Sequence, residues 1–448
     1  MFVSTGNGEK LLLEQEHIIP GKTVDVNLAS EKVIIKPGSY KQEIDGFGAS
    51  FTDSSAYLVH QVLSADRCND LMKKLFSPTE GIGLSFIRQP MGACDYSREI
   101  YSYCDMPLGE QDMELKHFSI EHDLEDIIPL LQQALKLNPE LKIMASPWSP
   151  PGWMKTSGNM IGGTLLRSCY DAYARYFLRF IKEYEKHGVP IYAITVQNEP
   201  LYAANHYPTM KMSPEEQIAF INNHLGPLFE SEKIKTKILC YDHNWDKPYY
   251  PEKVLYSSPY VVGTAWHNYG GKASAQSEIY SKFPDKEVYL TEASGGLWIG
   301  NGNFTIGFFN ALDICFDALQ NYSRAVVFWN IALDENNGPT VPGFGTSTCR
   351  GLVKIDQQTK EITYNLDYYA LAHFSKVIRP GARRLETKNN EGAVRIVACE
   401  NKDGTIGLVA FNKTTNNLKV RVEYGDSFME FVIESKSVAS FTIPMSKA

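Results

Sequence analysis

Two glutamates occupy positions where an apolar run ends, which is an unusual place for a carboxylate without a partner. Glu199 follows the run IYAITVQ (191–197) and an asparagine, and Glu292 closes the run EVYLTE (287–292). Burying an unpaired carboxylate is costly, so each residue must be paired with a cation or take part in chemistry. Two carboxyl groups that face one another can divide the work of a general acid and of a base or nucleophile.

Tryptophans share this placement, because all six lie at or just beyond the end of a predicted strand. They are Trp148, Trp153, Trp245, Trp266, Trp298 and Trp329. Flat indole faces beside carboxylates and amides suit the C–H faces and hydroxyl edges of a sugar. Two carboxyl groups flanking a glycosidic bond hydrolyse it with retention at a separation of ~5–5.5 Å and with inversion at ~6.5–9.5 Å. The residue types therefore indicate glycoside chemistry and leave its stereochemical course open.

The elements that must position these residues alternate regularly between apolar runs and helical patterns. Eight strand-like runs span 44–51, 84–90, 141–147, 191–197, 236–242, 261–268, 287–292 and 325–332. Helical patterns between them cover 124–137, 170–188 and 306–320, and Ser213-Pro214-Glu215-Glu216 predicts a helix start with a capping box. Near-continuous apolar strands alternating with helices predict a (β/α)8 TIM barrel over residues 41–376. In that fold, functional residues lie at the C-terminal ends of the strands.

The chain pattern changes after the barrel. From residue 377 onward, short alternating segments such as GTIGLVAFN and LKVRVEYG are separated by turn residues, which is typical of an antiparallel β-sandwich. The alternating residues LLLEQEHII and TVDVNLASEKVIIKP near the start have the same character. We therefore expect one β-sandwich side domain built from both chain ends, residues 1–40 with 377–448.

Composition excludes several classes of function. The 448 residues carry a net charge of −8 with scattered basic residues, which argues against nucleic acid as a partner. No apolar run reaches the roughly 18 residues needed to span a bilayer. The first residues lack a signal-peptide pattern, so we expect a cytoplasmic protein, or a secreted one if an export signal was removed. The sequence leaves the oligomeric state open.

Metal and cofactor motifs are also missing. The eight cysteines lie far apart without a C-x-x-C pair, and His243 and His267 have no third ligand at metal spacing. Neither a Gly-rich dinucleotide motif nor a G-x-S-x-G nucleophile elbow occurs. We therefore predict chemistry without a metal or a cofactor.

Five motifs in order resemble glycoside hydrolase family 30, most closely its branch of glucosylceramidases and β-1,6-glucanases. They are IDGFGASFTD (44–53), RQPMGACDYS (88–97), ASPWSPPGWMKT (145–156), QNEP (197–200) and TEAS (291–294). The resemblance covers nearly the whole chain and includes the composite β-sandwich. It implies a retaining β-glycosidase that acts on β-glucosides by double displacement.

The resemblance also implies individual roles. Glu199 would be the general acid/base and Glu292 the nucleophile, with Arg88 beneath Glu292 holding it ionised and Tyr269 hydrogen-bonded to it. Residues implied to bind the sugar are Asn198 (at the 2-hydroxyl), Asp95, Trp148 and Trp329. The acid must keep its proton near neutral pH and the nucleophile must not, so their surroundings should push the two pKa values apart.

Two segments depart from the family pattern, and both lie where the leaving group should bind. Glucosylceramidases carry His-Trp-Tyr where this chain has His267-Asn268-Tyr269, and the segment 334–351 is also distinct. Polar residues there favour a carbohydrate aglycone over a lipid: His206, Tyr207, Asn244 and Asn268. Four residues complete the predicted substrate-binding set: His267, Tyr207, Trp245 and Trp298.

Several readings of the substrate remain open at this point. A β-1,6-glucan and a glucosylceramide-like glycolipid are both compatible with the motifs. β-Xylosidase or β-fucosidase activity on the same scaffold is an alternative, as is a carbohydrate-binding protein without catalysis. The presence of both carboxylates favours an enzyme.

Overall fold

The structure is a computed structural model, and it describes residues 1–28, 30–389 and 392–444. Ala29, inside one of the alternating segments expected in the side domain, lies outside the described residues, as do residues 390–391 and 445–448 of that domain.

The described chain contains twenty strands. In chain order they are β1 (Phe2–Thr5), β2 (Leu13–Glu14), β3 (Ser30–Glu43), β4 (Gly46–Ser50), β5 (Phe86–Pro90), β6 (Lys142–Ser146), β7 (Ala193–Thr195), β8 (Lys237–Asn244), β9 (Val261–His267), β10 (Glu287–Glu292), β11 (Ala325–Phe328), β12 (Ala332–Leu333), β13 (Val353–Ile355), β14 (Ile362–Tyr364), β15 (Arg383–Asn389), β16 (Val394–Glu400), β17 (Ile406–Asn412), β18 (Leu418–Tyr424), β19 (Ser427–Ile433) and β20 (Ser437–Ile443).

Eleven α-helices accompany them over the same described ranges. They are α1 (Asp53–Tyr57), α2 (Ala65–Phe76), α3 (Glu121–Glu125), α4 (Ile127–Leu137), α5 (Tyr170–Lys186), α6 (Pro214–Phe220), α7 (Gly226–Ser231), α8 (Tyr249–Ser257), α9 (Ser274–Lys282), α10 (Phe304–Gln320) and α11 (Leu366–Ser375). Within these described ranges, no helix combines the length and apolar character needed to cross a membrane.

Strands β4 to β11 close into a parallel barrel in chain order, with β11 beside β4. Each contains or overlaps one of the eight apolar runs, so the predicted barrel is confirmed. The strands are buried on both faces because helices cover the outside, and an apolar layer fills the inside. Close packing of β4 on β5 requires Gly48, since a Cβ there would lie 1.6 Å from the Phe86 carbonyl oxygen.

The helices follow the predicted signals. Ser213 and Glu216 form a capping box at the start of α6, where each side chain accepts a hydrogen bond from the other residue's backbone N–H. The predicted helix over 124–137 is instead interrupted at Asp126, between α3 and α4. Pro129 falls in the first turn of α4, where its missing N–H costs no helical hydrogen bond.

The side domain is built on a nine-stranded sheet in the order β19-β18-β3-β15-β16-β17-β20-β1-β2. Both chain ends contribute, because β1 pairs with β20 and β3 lies between β18 and β15. All pairs are antiparallel except β3 with β18. The segment LLLEQEHII yields only the two-residue β2, and β1, β13, β14 and β15 had no counterpart in the predicted segments.

Candidate active site

A pocket of about 390 Å³ opens at the C-terminal ends of the barrel strands. Its lining residues are Asp95, Trp148, Asn198, Glu199, Tyr202, Tyr207, His243, Asn244, Tyr269, Glu292, Ser294, Trp298, Trp329 and Cys349. Both glutamates predicted from the sequence therefore line the same cavity.

The alternation of side chains along the strands places a polar layer beneath this pocket. Phe86, Met144, Ala193, Leu239, Ala265 and Tyr289 form an apolar cluster with β11 residues inside the barrel. Two residues further along five of these strands are polar side chains, listed here in strand order: Arg88, Ser146, Thr195, His267 and Thr291. Because side chains point to the same face every second residue, the polar layer lies directly above the apolar one.

Strand β8 enters this layer through a bulge. Its pairing with β9 shifts between Tyr241 and His243, and Tyr241 and Asp242 have φ angles of +79° and +66°. The extra residue brings Asp242, rather than the residue two positions after Leu239, into contact with the polar layer. Glu199 (φ +44°) and Asn330 (φ +59°) also adopt this left-handed conformation. Four non-glycine residues with positive φ therefore lie at or next to residues of the pocket and its polar layer, and such strain is common at functional sites.

Arg88 is the centre of the polar layer. Its side chain is completely buried, and Nη1 donates a hydrogen bond to Glu292 Oε2 at 2.6 Å. Nη2 donates to Asp242 Oδ2 at 2.8 Å and to Asn198 Oδ1 at 2.7 Å. The last bond leaves the Asn198 NH₂ group available to a ligand. One guanidinium therefore neutralises two buried carboxylates and orients the amide that precedes Glu199.

Glu292 is held from two directions. The Tyr269 hydroxyl donates to Oε1 at 2.8 Å, while Arg88 holds Oε2. The Glu292 side chain is only 8% exposed. A buried carboxylate that accepts a charge-assisted bond and a phenolic bond is fixed in orientation, which suits a nucleophile.

Glu199 contacts a different partner. His267 Nδ1 lies 3.2 Å from Glu199 Oε1, and His267 Nε2 lies 3.0 Å from Asp242 Oδ1. Burial opposes a charge on His267, but the charge of Glu292 and the bonds to Asp242 and Glu199 raise its pKa to about 9. Burial likewise opposes ionisation of Glu199, yet the hydrogen bond and charge of His267 lower its pKa. This lowered pKa runs against the expectation that the surroundings of Glu199 keep its proton on it near neutral pH.

The Glu199–His267 pair is best described as one proton-binding unit. A single proton between Nδ1 and Oε1 gives either an imidazolium beside a carboxylate or a neutral imidazole beside a carboxylic acid. Asp242, whose pKa burial would raise, is held well below its ordinary pKa by Arg88 and His267. Asp242 therefore stays ionised and favours keeping a proton on the pair.

Glu199, His267 and Glu292 are also close enough to be considered as metal ligands. One donor atom from each lies within 4.8 Å of the others. Both Glu292 oxygens, however, already accept hydrogen bonds from Arg88 and Tyr269, and the imidazole bridges two carboxylates. This donor set is that of an ion-pair network whose cations are guanidinium and imidazolium. The same distance brings the two glutamate carboxylates within 4.8 Å of one another.

Aromatic rings and a third carboxyl group form the side of the pocket. Trp148 and Trp329 stack with centroids 4.9 Å apart and planes inclined by 18°. Arg88 lies under the Trp148 ring, its guanidinium carbon 4.7 Å from the centroid. Burial, followed by the charge of Glu292, raises the pKa of Asp95 to about 8, and its buried Oδ1 has no partner in the described protein. Asp95 can therefore both donate to and accept from a ligand hydroxyl.

The predicted tryptophans divide into two groups. Trp148, Trp298 and Trp329 line the pocket, and Trp298 at its edge is 52% exposed. The other three, Trp153, Trp245 and Trp266, are packed in the hydrophobic core. Trp245, which the sequence analysis assigned to substrate binding, is therefore a core residue and does not line the pocket. For Trp266 the reason is strand alternation: its neighbour His267 points into the barrel, so its indole points toward the helices.

The sequence analysis did not identify the hydroxyl residues around Asp242 as part of the site. Thr195 and Thr291 hydroxyls donate to the Asp242 carboxylate at 2.6 and 2.7 Å, and Ser146 also donates to it. Their positions near the ends of predicted strands were a usable signal. The β8 bulge had no such signal, because it depends on pairing with β9.

Comparisons with known proteins agree over both the barrel and the side domain. The model of the Glycosyl hydrolase family 30 TIM-barrel domain matches residues 44–378, and that of the family 30 beta sandwich domain matches residues 381–441. The sequence therefore matches both domains of this two-domain family.

Individual relatives cover most of the chain. "Endo-1,6-beta-D-glucanase neg1" of Aspergillus fumigatus is 34% identical over 410 residues, 86% of this chain and 81% of the relative. "Lysosomal acid glucosylceramidase" of Mus musculus is 29% identical over 440 residues, 91% of this chain and 82% of the relative. The solved structure titled "The endo-beta1,6-glucanase BT3312" superposes with a TM-score of 0.91 at 31% identity, covering 99% of both chains.

Replacing Arg88 with Gln is expected to lower the free energy of unfolding by about 3–5 kcal/mol, because it leaves two buried carboxylates without their cation. Urea denaturation at neutral pH measures the change. The control Arg421→Gln removes a guanidinium that is 35% exposed in its pair with Glu430, and it should cost much less stability because solvent screens exposed pairs. Equal, small losses for both variants would contradict the central role of Arg88.

Proposed function

The chain belongs to glycosyl hydrolase family 30, and on that premise we propose that it is a retaining β-glycosidase that cleaves β-1,6-linked glucan. In this proposal Glu292 is the nucleophile and Glu199 the general acid/base. The observation that carries it is the approach of the two carboxylates to within 4.8 Å in one pocket, each with a different partner.

The separation supports retention. An inverting enzyme needs ~6.5–9.5 Å between its carboxyl groups to hold a water molecule, whereas a retaining enzyme needs ~5–5.5 Å. Oxygens within 4.8 Å of one another fit direct attack by one carboxylate on the anomeric carbon. The fixed orientation of Glu292, between Arg88 and Tyr269, supports its role as the attacking group.

In the first step, Glu292 forms a bond to the anomeric carbon while the bond to the leaving oxygen breaks. Glu199 gives that oxygen the proton held by the Glu199–His267 pair. Substrate that displaces water from Glu199 favours its neutral form, so the proton moves from His267 Nδ1 to Glu199 Oε1 across a 3.2 Å contact. Positive charge developing on the sugar is stabilised by the adjacent carboxylates.

In the second step, Glu199 acts as a base. It takes a proton from water, whose oxygen attacks the anomeric carbon and releases Glu292, so that the configuration is retained overall. Asn198, oriented by Arg88, would hold the sugar 2-hydroxyl in both steps. Trp148 and Trp329 would bind the apolar face of the same sugar.

Polar groups at the pocket edge support a sugar as leaving group. Asn244 accepts a hydrogen bond from the Tyr269 backbone through Oδ1, which leaves its NH₂ group for a ligand. His243 Nδ1 is buried without a partner in the described protein. Glucose hydroxyls would satisfy both groups, whereas a lipid would leave them unpaired. The relatives named endo-1,6-β-glucanase support the same choice.

A substrate panel tests the proposed specificity. We expect kcat/KM for gentio-oligosaccharides to exceed that for laminarin, xylan and detergent-dispersed glucosylceramide by at least about tenfold, because only the first presents the linkage that the polar edge would match. Initial rates of product release give kcat/KM for each substrate, and sizing the products identifies the bond that is cleaved. Glu292→Gln is the inactive control. Preferred cleavage of glucosylceramide would contradict a sugar leaving group, and cleavage of none would contradict the activity.

Azide rescue tests the two carboxylate roles. Glu199→Ala is expected to lose about 10²–10⁴-fold in kcat, since it removes acid/base catalysis, and Glu292→Ala at least as much. Azide should restore turnover of an aryl β-glucoside by Glu292→Ala. The product should be an α-glucosyl azide, because the small anion attacks from the side of the missing carboxylate. A β-glucosyl azide from this variant would reverse the assignment of the two roles, which product NMR would reveal.

The pH profile tests the shared proton. The pKa of His267 is raised to about 9, so the Glu199–His267 pair loses its proton as the pH rises through about 9. We therefore expect kcat/KM to fall in that range. In His267→Gln the proton resides on Glu199 alone, so the basic limb of kcat/KM should move to lower pH. His224→Gln is the control, because this histidine pairs with Asp171 outside the pocket, and it should keep the wild-type profile. An unchanged basic limb in His267→Gln would contradict proton sharing.

A further inference from the structure

Two further cavities lie on the same barrel face as the catalytic pocket. The first, of about 540 Å³, lies between parts of segments 100–111 and 152–166, in the loops after β5 and β6. The second, of about 490 Å³, shares Ile100, Asn159 and Met160 with the first and continues to Ala204 and Asn205. We call these two cavities together the outer groove.

The outer groove leads toward the catalytic pocket. Asn205, at its near end, hydrogen-bonds to His206 at 2.7 Å, and the His206 ring contacts Tyr207 with centroids 5.0 Å apart. Tyr207 and Tyr202 line the catalytic pocket. The outer groove and the catalytic pocket are separate cavities. A ligand that occupies both must therefore be a long chain.

A hydrogen-bonded frame holds the outer groove in a fixed relation to the pocket. The buried Lys155 Nζ donates to Ser149 Oγ at 2.9 Å and to the carbonyls of Met160 and Thr209 at 2.7 Å each. The Thr209 N–H also donates to the Met160 carbonyl at 3.1 Å. Ser149 follows Trp148, and Thr209 belongs to the segment after Glu199. The outer groove is therefore preformed by segments that also carry the pocket residues.

The surface chemistry of the outer groove suits a neutral, polyhydroxylated ligand. Ile100 and Leu108 are exposed by 39% and 97%, and they offer apolar contact for sugar C–H faces. Amide groups of Gln111 and Asn205 offer hydrogen bonds to hydroxyls. The charged side chains of the first cavity are Asp105, Glu110 and the buried Lys155, so the lining does not favour an anionic ligand.

We propose that the outer groove binds additional glucose units of the β-glucan chain whose scissile bond occupies the catalytic pocket. This inference rests on the proposed function and adds to it a binding region for the distant part of a long substrate. Units bound there contribute to kcat/KM only when the chain is long enough to reach both places. The enzyme should therefore favour long chains over short glucosides.

Ile100→Arg tests the proposal, because Ile100 lines both cavities and a longer charged side chain there would obstruct the path. We expect kcat/KM for gentiohexaose to fall by roughly tenfold while that for an aryl β-glucoside stays within about twofold. The matched control is Ile34→Arg in β3 of the side domain, where the isoleucine is also 39% exposed. The control should leave both substrates unaffected.

Unchanged gentiohexaose hydrolysis in Ile100→Arg would overturn the groove proposal and leave the proposed function standing. Absence of hydrolysis of both substrates by the unaltered enzyme would instead overturn the proposed function. The double variant Leu108→Ala/Gln111→Ala removes contacts without blocking, and it should reproduce the selective loss. Equal losses on both substrates in the two variants would also overturn the groove proposal.

A binding measurement gives a readout besides activity. In Glu292→Gln protein, titration calorimetry with gentiobiose through gentiohexaose should show affinity that rises with chain length. Adding Ile100→Arg should abolish this rise beyond the shortest ligands. Affinity that does not depend on length in the Glu292→Gln protein would contradict glucan binding in the outer groove.

Discussion

One buried guanidinium imposes the arrangement of the entire catalytic end of the barrel. Arg88 must have carboxylates around it, because a completely buried cation without them is unstable. Asp242 and Glu292 meet that need, and they come from strands on opposite sides of β9. The positions of the nucleophile, of the amide before Glu199 and of the imidazole are consequences of satisfying this single charge. The contacts that stabilise this buried charge therefore also hold the catalytic groups in position.

Much of the fold was predictable because its determinants are local. Barrel strands buried on both faces require continuous apolar runs, and the ends of those runs mark where functional side chains emerge. Glu199 and Glu292 were identifiable for this reason, and both line one pocket. The assignment of catalytic roles to them came from a resemblance between motifs and remains a proposal.

Other features depend on interactions between distant segments. The bulge at Tyr241 and Asp242 arises from the register of β8 on β9, and periodicity along one strand carries no information about it. The direction of a tryptophan at a strand end depends on which neighbour points inward, which is why Trp245 and Trp266 are in the core. The lowered pKa of Glu199 required knowing that His267 bridges it to Asp242.

The interleaving of β3 between β18 and β15 has a consequence for how the chain reaches its folded state. During synthesis, β3 leaves the ribosome before the barrel, but both of its neighbours in the sheet leave after it. The early strand must therefore wait unpaired, with charged side chains such as Lys32 and Lys36 helping to keep it soluble. The side domain can assemble only as a late event, onto a barrel whose strands have already emerged in order.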